Sequence, residues 1–405
     1  MFNMINDSIL KELVDVIYKF VFKKNIDQFQ IPLHEPDLVK TNSLLYLKDC
    51  IDKNWVSSGG DWVKKFEKNL CEYTNSKYSI ALCNGTNALR LALHTVGVKN
   101  GDEVLVTPSS FVATVNAISH LGATPHFVDI EAKTLAISPL KLDKRLEEIA
   151  YKSNGNVFNK KTNKRISALL PVHVFGIPAD FNGLEEISKK WSIPIVEDSA
   201  EALGSWYRKN NHLTHCGLLG DIGILSFNGN KIITTGGGGA ILTNSKSFAD
   251  KARHLSTTAK IPHQWEYFHD QIAWNDRMPN INAAIGCAQI EKIKDILEIK
   301  ERIYYRYMQI LSKFDFIEVL KTPDHSVSNN WLVTLRIKVE DDYDAISIRN
   351  KLLTLAHEKN ILLRPIWKSL HNLPMYLNSP RGDLTEAEFQ EKRLINLPSS
   401  PKLIS

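Results

Sequence analysis

Residues 220–244 read GDIGILSFNGNKIITTGGGGAILTN, where two apolar runs, GILSFN and GAILTN, bracket a lysine and four glycines. A glycine run beside a lysine suggests a phosphate loop, but in that motif the lysine follows the glycines and is itself followed by Ser or Thr. Here Lys231 comes before them. The reversed order points to a lysine whose amine is the reagent, held where glycine backbone lets a flat ligand approach closely.

Upstream, runs of the same kind recur from about residue 79: SIALCNG, EVLVTP, TPHFVDI, SALLPVHVFG and IPIVEDS, each leading through a turn into a helix-like segment. Runs apolar on both faces predict an α/β architecture, a mostly parallel sheet flanked by helices. In such sheets the functional groups gather at the carboxyl ends of the strands. Downstream, a helical stretch from Ile281, INAAIGCAQIEKIKDILEIKERIYYRYMQIL, leads to a smaller α+β region. There WLVTLRIKV alternates like an antiparallel strand and AISIRNKLLTLAHEK reads as a helix. At the N-terminus Ile9, Leu10, Leu13, Val16, Ile17 and Phe20 recur at helical spacing. The expected organisation is an amphipathic helical extension over 1–30, a large cofactor-binding domain over 31–295 and a small C-terminal domain over 296–405.

With 43% hydrophobic and 23% charged residues among 405, the composition is that of an ordinary globular chain. A formal charge of +5 is too mild and too evenly spread for nucleic acid, though it suits an anionic small substrate. Acidic residues interrupt the apolar N-terminus, so neither a signal peptide nor a membrane span is expected. Cys50, Cys71, Cys83, Cys216 and Cys287 are odd in number and never spaced as metal pairs. That pattern predicts no metal and fits a reducing cytoplasm.

Several strand ends carry chemistry. CNGTNALRLAL (83–93) is a strand, a Gly-Thr turn and a helix whose first amides suit a phosphate. PSSFVATVNAI (108–118) puts Phe111 where it can lie against a planar ring, or simply pack in the core. PIVEDSAEALGS (194–205) ends a buried run with Glu197 and Asp198. Two acids there call for a cationic partner or mark a helix N-cap. Ser226 and Lys231 follow at the next strand end. Together these parts make a pyridoxal phosphate site: a carboxylate for the pyridinium nitrogen, a lysine for the Schiff base, and a helix terminus with a serine for the phosphate.

In their order, NGTNAL, SFVATVNAI, PVHVFGIPADF, VEDSAEALGS, the stretch 220–244 and NDRMPNINAAIGCAQ resemble the pyridoxal phosphate-dependent nucleotide-sugar aminotransferases of the DegT/DnrJ/StrS family, of the aspartate aminotransferase fold type (fold type I). The resemblance runs from about Ile31 to the C-terminus. It implies Lys231 as the Schiff-base lysine, Asp198 as partner of the pyridine nitrogen, Phe111 as the stacking ring, and Gly85, Thr86 and Ser226 on the phosphate. It further implies that Asn275, or secondarily Arg277, reaches the phosphate of a neighbouring subunit, giving a homodimer with shared active sites. Glu201 stands where many of these enzymes have Gln against the phenolic oxygen, and its role stays open.

IPLHEP, WVSSGGDWVKKFE, LLRPIWKSLHNLPMYLN and INLPSSP resemble the subgroup that aminates position 4 of UDP-linked 4-keto-6-deoxy-N-acetylhexosamines, toward legionaminic acid-type or bacillosamine-type sugars. With L-glutamate as donor, this resemblance implies Trp55, Ser57, His173, Arg364, Trp367 and His371 as substrate contacts. The alternatives are a perosamine-type aminotransferase of GDP- or dTDP-linked sugars, a non-catalytic pyridoxal phosphate-binding regulator, and a sugar dehydratase. Related dehydratases carry histidine at the Schiff-base position, against the lysine here.

Overall fold

The computed structural model describes residues 5, 7–22, 30–39, 41–209 and 211–404, so the expectations for 1–4, 6 and 23–29 lie outside it. Seven strands form the central sheet: β1 (Tyr78–Leu82), β2 (Glu103–Val106), β3 (Thr124–Phe127), β4 (Arg165–Leu170), β5 (Val196–Asp198), β6 (Ile222–Ser226) and β7 (Gly239–Thr243). Their spatial order is β3-β2-β4-β5-β6-β7-β1, with β4 and β5 joined through the bridges Leu169–Ile195 and Val172–Asp198. The strand interiors are buried, as the apolar runs require.

Six of the seven strands run parallel, and β7 is antiparallel to both β6 and β1. No helix intervenes between β6 and β7. Without a crossover helix the chain turns back on itself, and the returning strand pairs antiparallel. Lys231 sits in that connection.

Helix α1 (Asp7–Phe22) opens the described chain, and α2 (Gly85–Thr95) follows β1. Ala88, Leu89, Leu91, Ala92 and Leu93 of α2 are buried. This packing fixes the N-terminal end of α2 at the carboxyl end of the sheet. The expected single helix from Ile281 is two helices, α3 (Asn280–Ile290) and α4 (Ile293–Leu311). Most of α3 is buried, including Ala283, Ala284, Cys287 and Ala288, whereas α4 buries one stripe through Ile296, Ile303, Tyr307 and Leu311. The break falls where a core helix gives way to an amphipathic one.

A second sheet, all antiparallel, orders Ile317–Val319, Val333–Ile337, Leu394–Leu397 and Arg364–Pro365 side by side. Helix α5 (Asp342–Glu358) contributes Ile348, Leu352 and Leu355 to its core. The apolar face of α1 enters the same core: Leu10, Leu13, Val14, Ile17 and Val21 are buried with Ile303, Tyr307 and Leu352. Ile31 pairs with Ile361, so the first described segments belong physically to the last ones. Among the described residues no helix is long and apolar enough to cross a membrane.

Candidate active site

A cavity opens at the carboxyl ends of β1, β5 and β6, and its wall includes Gly85, Thr86, Phe111, Thr114, Asp198, Glu201, Ser226 and Lys231. Helix α2 begins there. The Asn84 side chain caps it by accepting the Asn87 amide at 2.8 Å, while Gly85 and Thr86 lie in the first turn, whose amides no intrahelical carbonyl reaches. Ser226 ends β6 against this turn, so close that a Cβ on Gly85 would come within 2.9 Å of the serine Cβ. A residue with a side chain would fill the cradle that two helix amides and a hydroxyl form.

The four glycines serve the protein rather than a ligand. A Cβ on Gly239 would meet the Asn84 carbonyl at 2.5 Å, and Gly236 takes φ +80°. The run lets the start of β7 lie against the start of α2 and turns the chain after Lys231. None of the four lines the cavity. The expectation that they admit a flat ligand is therefore corrected: their close contact is backbone on backbone.

Asp198 ends β5 with 5% of its surface exposed. It accepts the Thr114 hydroxyl at 2.8 Å and the Ala200 amide at 3.2 Å. Ser110 in turn hydrogen-bonds Thr114 at 2.8 Å. Burial pushes the Asp198 carboxyl above its ordinary range, while Thr114, the Ala200 amide and Lys231 pull against it. A cation in the cavity would restore the charged form. Glu197, one residue earlier, points away from the cavity: it accepts the amides of Gly217, Leu219 and Gly220 and faces His173 Nε2 at 3.0 Å. Its partners are all internal.

Lys231 Nζ lies 3.3 Å from Glu201 Oε1 and 4.2 Å from the centre of the Trp331 ring. Phe111 stands half-exposed at the cavity mouth, 6.5 Å from Trp367, which itself stacks on Phe175 at 4.9 Å. Arg364 faces Glu201 electrostatically from the edge of the second sheet. These two substrate candidates border the site.

Two others do not. His173 is fully buried, held between Glu197 and the Ala179 amide, which donates to Nδ1 at 3.1 Å. His371 is 3% exposed, pairs with Glu388 at 3.0 Å and meets Phe127 edge-on. Packing against β3 and the 385–391 helix consumes it. Trp55 and Ser57 are exposed, and their backbone carbonyls hold Asn280. They do not line the cavity in this chain.

Asn275 is also exposed, immediately before two anchored residues. Asp276 bonds Asn87 and Arg90 of α2, and Arg277 bonds Glu67 at 3.3 Å. The sequence reading overlooked Thr114, Ser110, Phe175 and Trp331. For Thr114 a signal existed: a hydroxyl three residues after Phe111, within the segment already singled out.

Residues 38–405 match the DegT/DnrJ/EryC1/StrS aminotransferase family. The chain is 35% identical over 373 residues to GDP-perosamine synthase of Escherichia coli O157:H7, covering 92% of this chain and 94% of that one. It is 33% identical over 374 residues to GDP-perosamine synthase of Vibrio cholerae, covering 92% and 95%. The solved aminotransferase TlmJ of Streptoalloteichus hindustanus matches with a TM-score of 0.80 at 25% identity, over 91% of this chain and 93% of that one. The chain belongs to this family; it is a pyridoxal phosphate-dependent sugar aminotransferase of the same fold.

Proposed function

We propose that the chain moves the amino group of L-glutamate onto the 4-keto carbon of a nucleotide-linked 6-deoxyhexose, as a cytoplasmic homodimer with shared sites. The observation that carries this is Lys231 and Asp198 facing one cavity beside the α2 terminus. The GDP-perosamine synthases among the relatives favour a GDP-linked sugar over the UDP-linked N-acetylhexosamine that IPLHEP and its companion segments suggested. The UDP-linked sugar is the second reading.

The residues fit pyridoxal phosphate. When bound, the cofactor supplies an electron sink for the carbanion left when a substrate carbon gives up its proton. Asp198 holds the ring nitrogen in its protonated form, oriented by Thr114 and the Ala200 amide. Phe111 covers the ring, and the α2 amides with Ser226 bind the phosphate. Lys231 carries the covalent link and, once free, moves protons. Asn275, set on a peg clamped by Asp276 and Arg277, reaches the phosphate of a second subunit. Exposed Trp265, Tyr267, Phe268 and Ile272 nearby suit burial against that subunit.

Purified protein incubated with L-glutamate and a panel of GDP-, dTDP- and UDP-linked 4-keto-6-deoxy sugars, read by mass, tests the substrate. Amination of the GDP sugar alone is the expected result, and amination of the UDP-N-acetyl sugar alone reverses the choice. Borohydride reduction and peptide mapping test the lysine: the pyridoxyl mass belongs on the peptide containing Lys231.

A further inference from the structure

Glu201 is the acid in the cavity that the assignments above leave without a task. One carboxylate oxygen, Oε1, lies 3.3 Å from Lys231 Nζ, and the other accepts the Phe175 amide at 2.8 Å. Its side chain is 5% exposed. Phe175 has φ +55°, a left-handed conformation that is unfavourable for a bulky residue and persists only when its surroundings hold it. The Glu201 oxygen is part of that hold, so the carboxylate cannot swing freely away from the lysine.

The lysine is confined from the other side. Trp331 presents its ring to Nζ and donates its indole N–H to the Asn230 carbonyl at 2.7 Å. His34 Nδ1 lies 2.9 Å from that same carbonyl. Asn329 ties the two walls together: its side-chain amide donates to the Glu201 backbone carbonyl at 2.8 Å, and its Oδ1 accepts the Trp331 backbone N–H at 2.9 Å. The amine therefore lies between a fixed ring and a fixed carboxylate. The charged groups facing Glu201 are Lys231, Asp198 and, from the second sheet, Arg364, while His34 faces Lys231. Burial is the largest influence on Glu201 and pushes its carboxyl above the ordinary range.

We propose that Glu201 is a catalytic residue that takes the proton from the Lys231 ammonium whenever the lysine is released from the cofactor, leaving Nζ as the neutral base for the substrate carbon. The step balances within the pair. An N–H bond of the ammonium breaks, its electron pair stays on nitrogen, and an O–H bond forms on Oε1. Two buried opposite charges become two neutral groups, a change that a water-poor site tolerates well. The reverse transfer resets the pair. The inference rests on Lys231 being the lysine that bears the cofactor.

Glu201→Gln keeps the size of the side chain and an oxygen for the Phe175 amide, and removes only the ability to take a proton. In cofactor-loaded protein, infrared difference spectra recorded before and after L-glutamate should show the C=O band of a protonated carboxyl group, shifted in heavy water. The band should vanish in Glu201→Gln and survive in Glu201→Asp. The half-reaction with L-glutamate should slow by about a hundredfold or more in Glu201→Gln, lose its acidic limb against pH, and keep its KM within about threefold. Cofactor trapped on Lys231 together with a wild-type rate, or with an unchanged carboxyl band, in Glu201→Gln overturns the proposal alone. Cofactor trapped on another lysine in the unaltered protein overturns the Lys231 assignment and this proposal with it.

Discussion

Glu197 and Asp198 are neighbours on one strand, both buried, and they meet opposite surroundings because successive side chains leave a strand on opposite faces. A carboxylate offers about four lone-pair sites. Glu197 uses them on three backbone amides and His173. Asp198 meets one hydroxyl and one amide, and its remaining capacity faces the cavity. A buried acid whose bonding is complete holds the fold. One left incomplete toward a cavity can bind something else.

The sharpest way to break this comparison is to remove each charge without changing shape. Asp198→Asn should keep a cooperative fold yet slow transamination by about a hundredfold or more, at roughly 1.4 kcal/mol per tenfold; stopped-flow spectra of the half-reaction would show it. Near-normal turnover would mean that another group holds the ring nitrogen. Glu197→Gln should do the converse. A Gln places an N–H against amides that need an acceptor, so a loss of about 2–4 kcal/mol in urea unfolding is expected, with kcat of the folded fraction little changed. A large kcat loss at full stability would reverse the roles.

His215, buried with its Nε2 accepting the Gly204 amide at 2.9 Å, is a second buried group whose bonding is internal. Burial pushes its imidazole down to about 3, well below the 6.5 of an exposed histidine. Below pH 6.5 the unfolded chain binds a proton that the folded chain refuses. The stability is thus present above 6.5 and is lost progressively as pH falls toward 3. His215→Gln should flatten the pH dependence of the urea midpoint there by up to about 1.4 kcal/mol per pH unit relative to the unaltered chain. An identical slope in both proteins would put the titration elsewhere. The smallest effect should come from Thr114→Val, which removes one of the two bonds to Asp198. At about 1.5 kcal/mol for a hydrogen bond to a charged group, kcat should fall roughly tenfold, and an unchanged kcat would make Thr114 a packing residue only.

Much of this was legible beforehand. All seven sheet strands fall on runs picked out by their apolar character, because a strand buried on both faces must be apolar throughout. Lys231, Asp198, Phe111, Gly85, Thr86 and Ser226 come from separate strand ends and line one cavity. His173 and His371 were misread for one reason: a histidine beside a conspicuous motif looks the same whether it faces a ligand or a carboxylate. Their partners, Glu197 and Glu388, lie 24 and 17 residues away. The long helix from Ile281 divides because its apolar pattern changes from all-round to one-sided, a change softer in sequence than the break it produces.

By itself, then, the sequence determined the layered sheet, the lysine before the glycines and the acid at the strand end, because these depend on local pattern and on which side chains a buried strand tolerates. Only the tertiary structure decided what Glu197 binds, that the glycines make room for a helix, and that Trp331 and Glu201 enclose Lys231. Those outcomes rest on contacts between segments far apart in the chain, such as the 128 residues between Asn329 and Glu201. Local preference cannot encode a partner that only folding brings near.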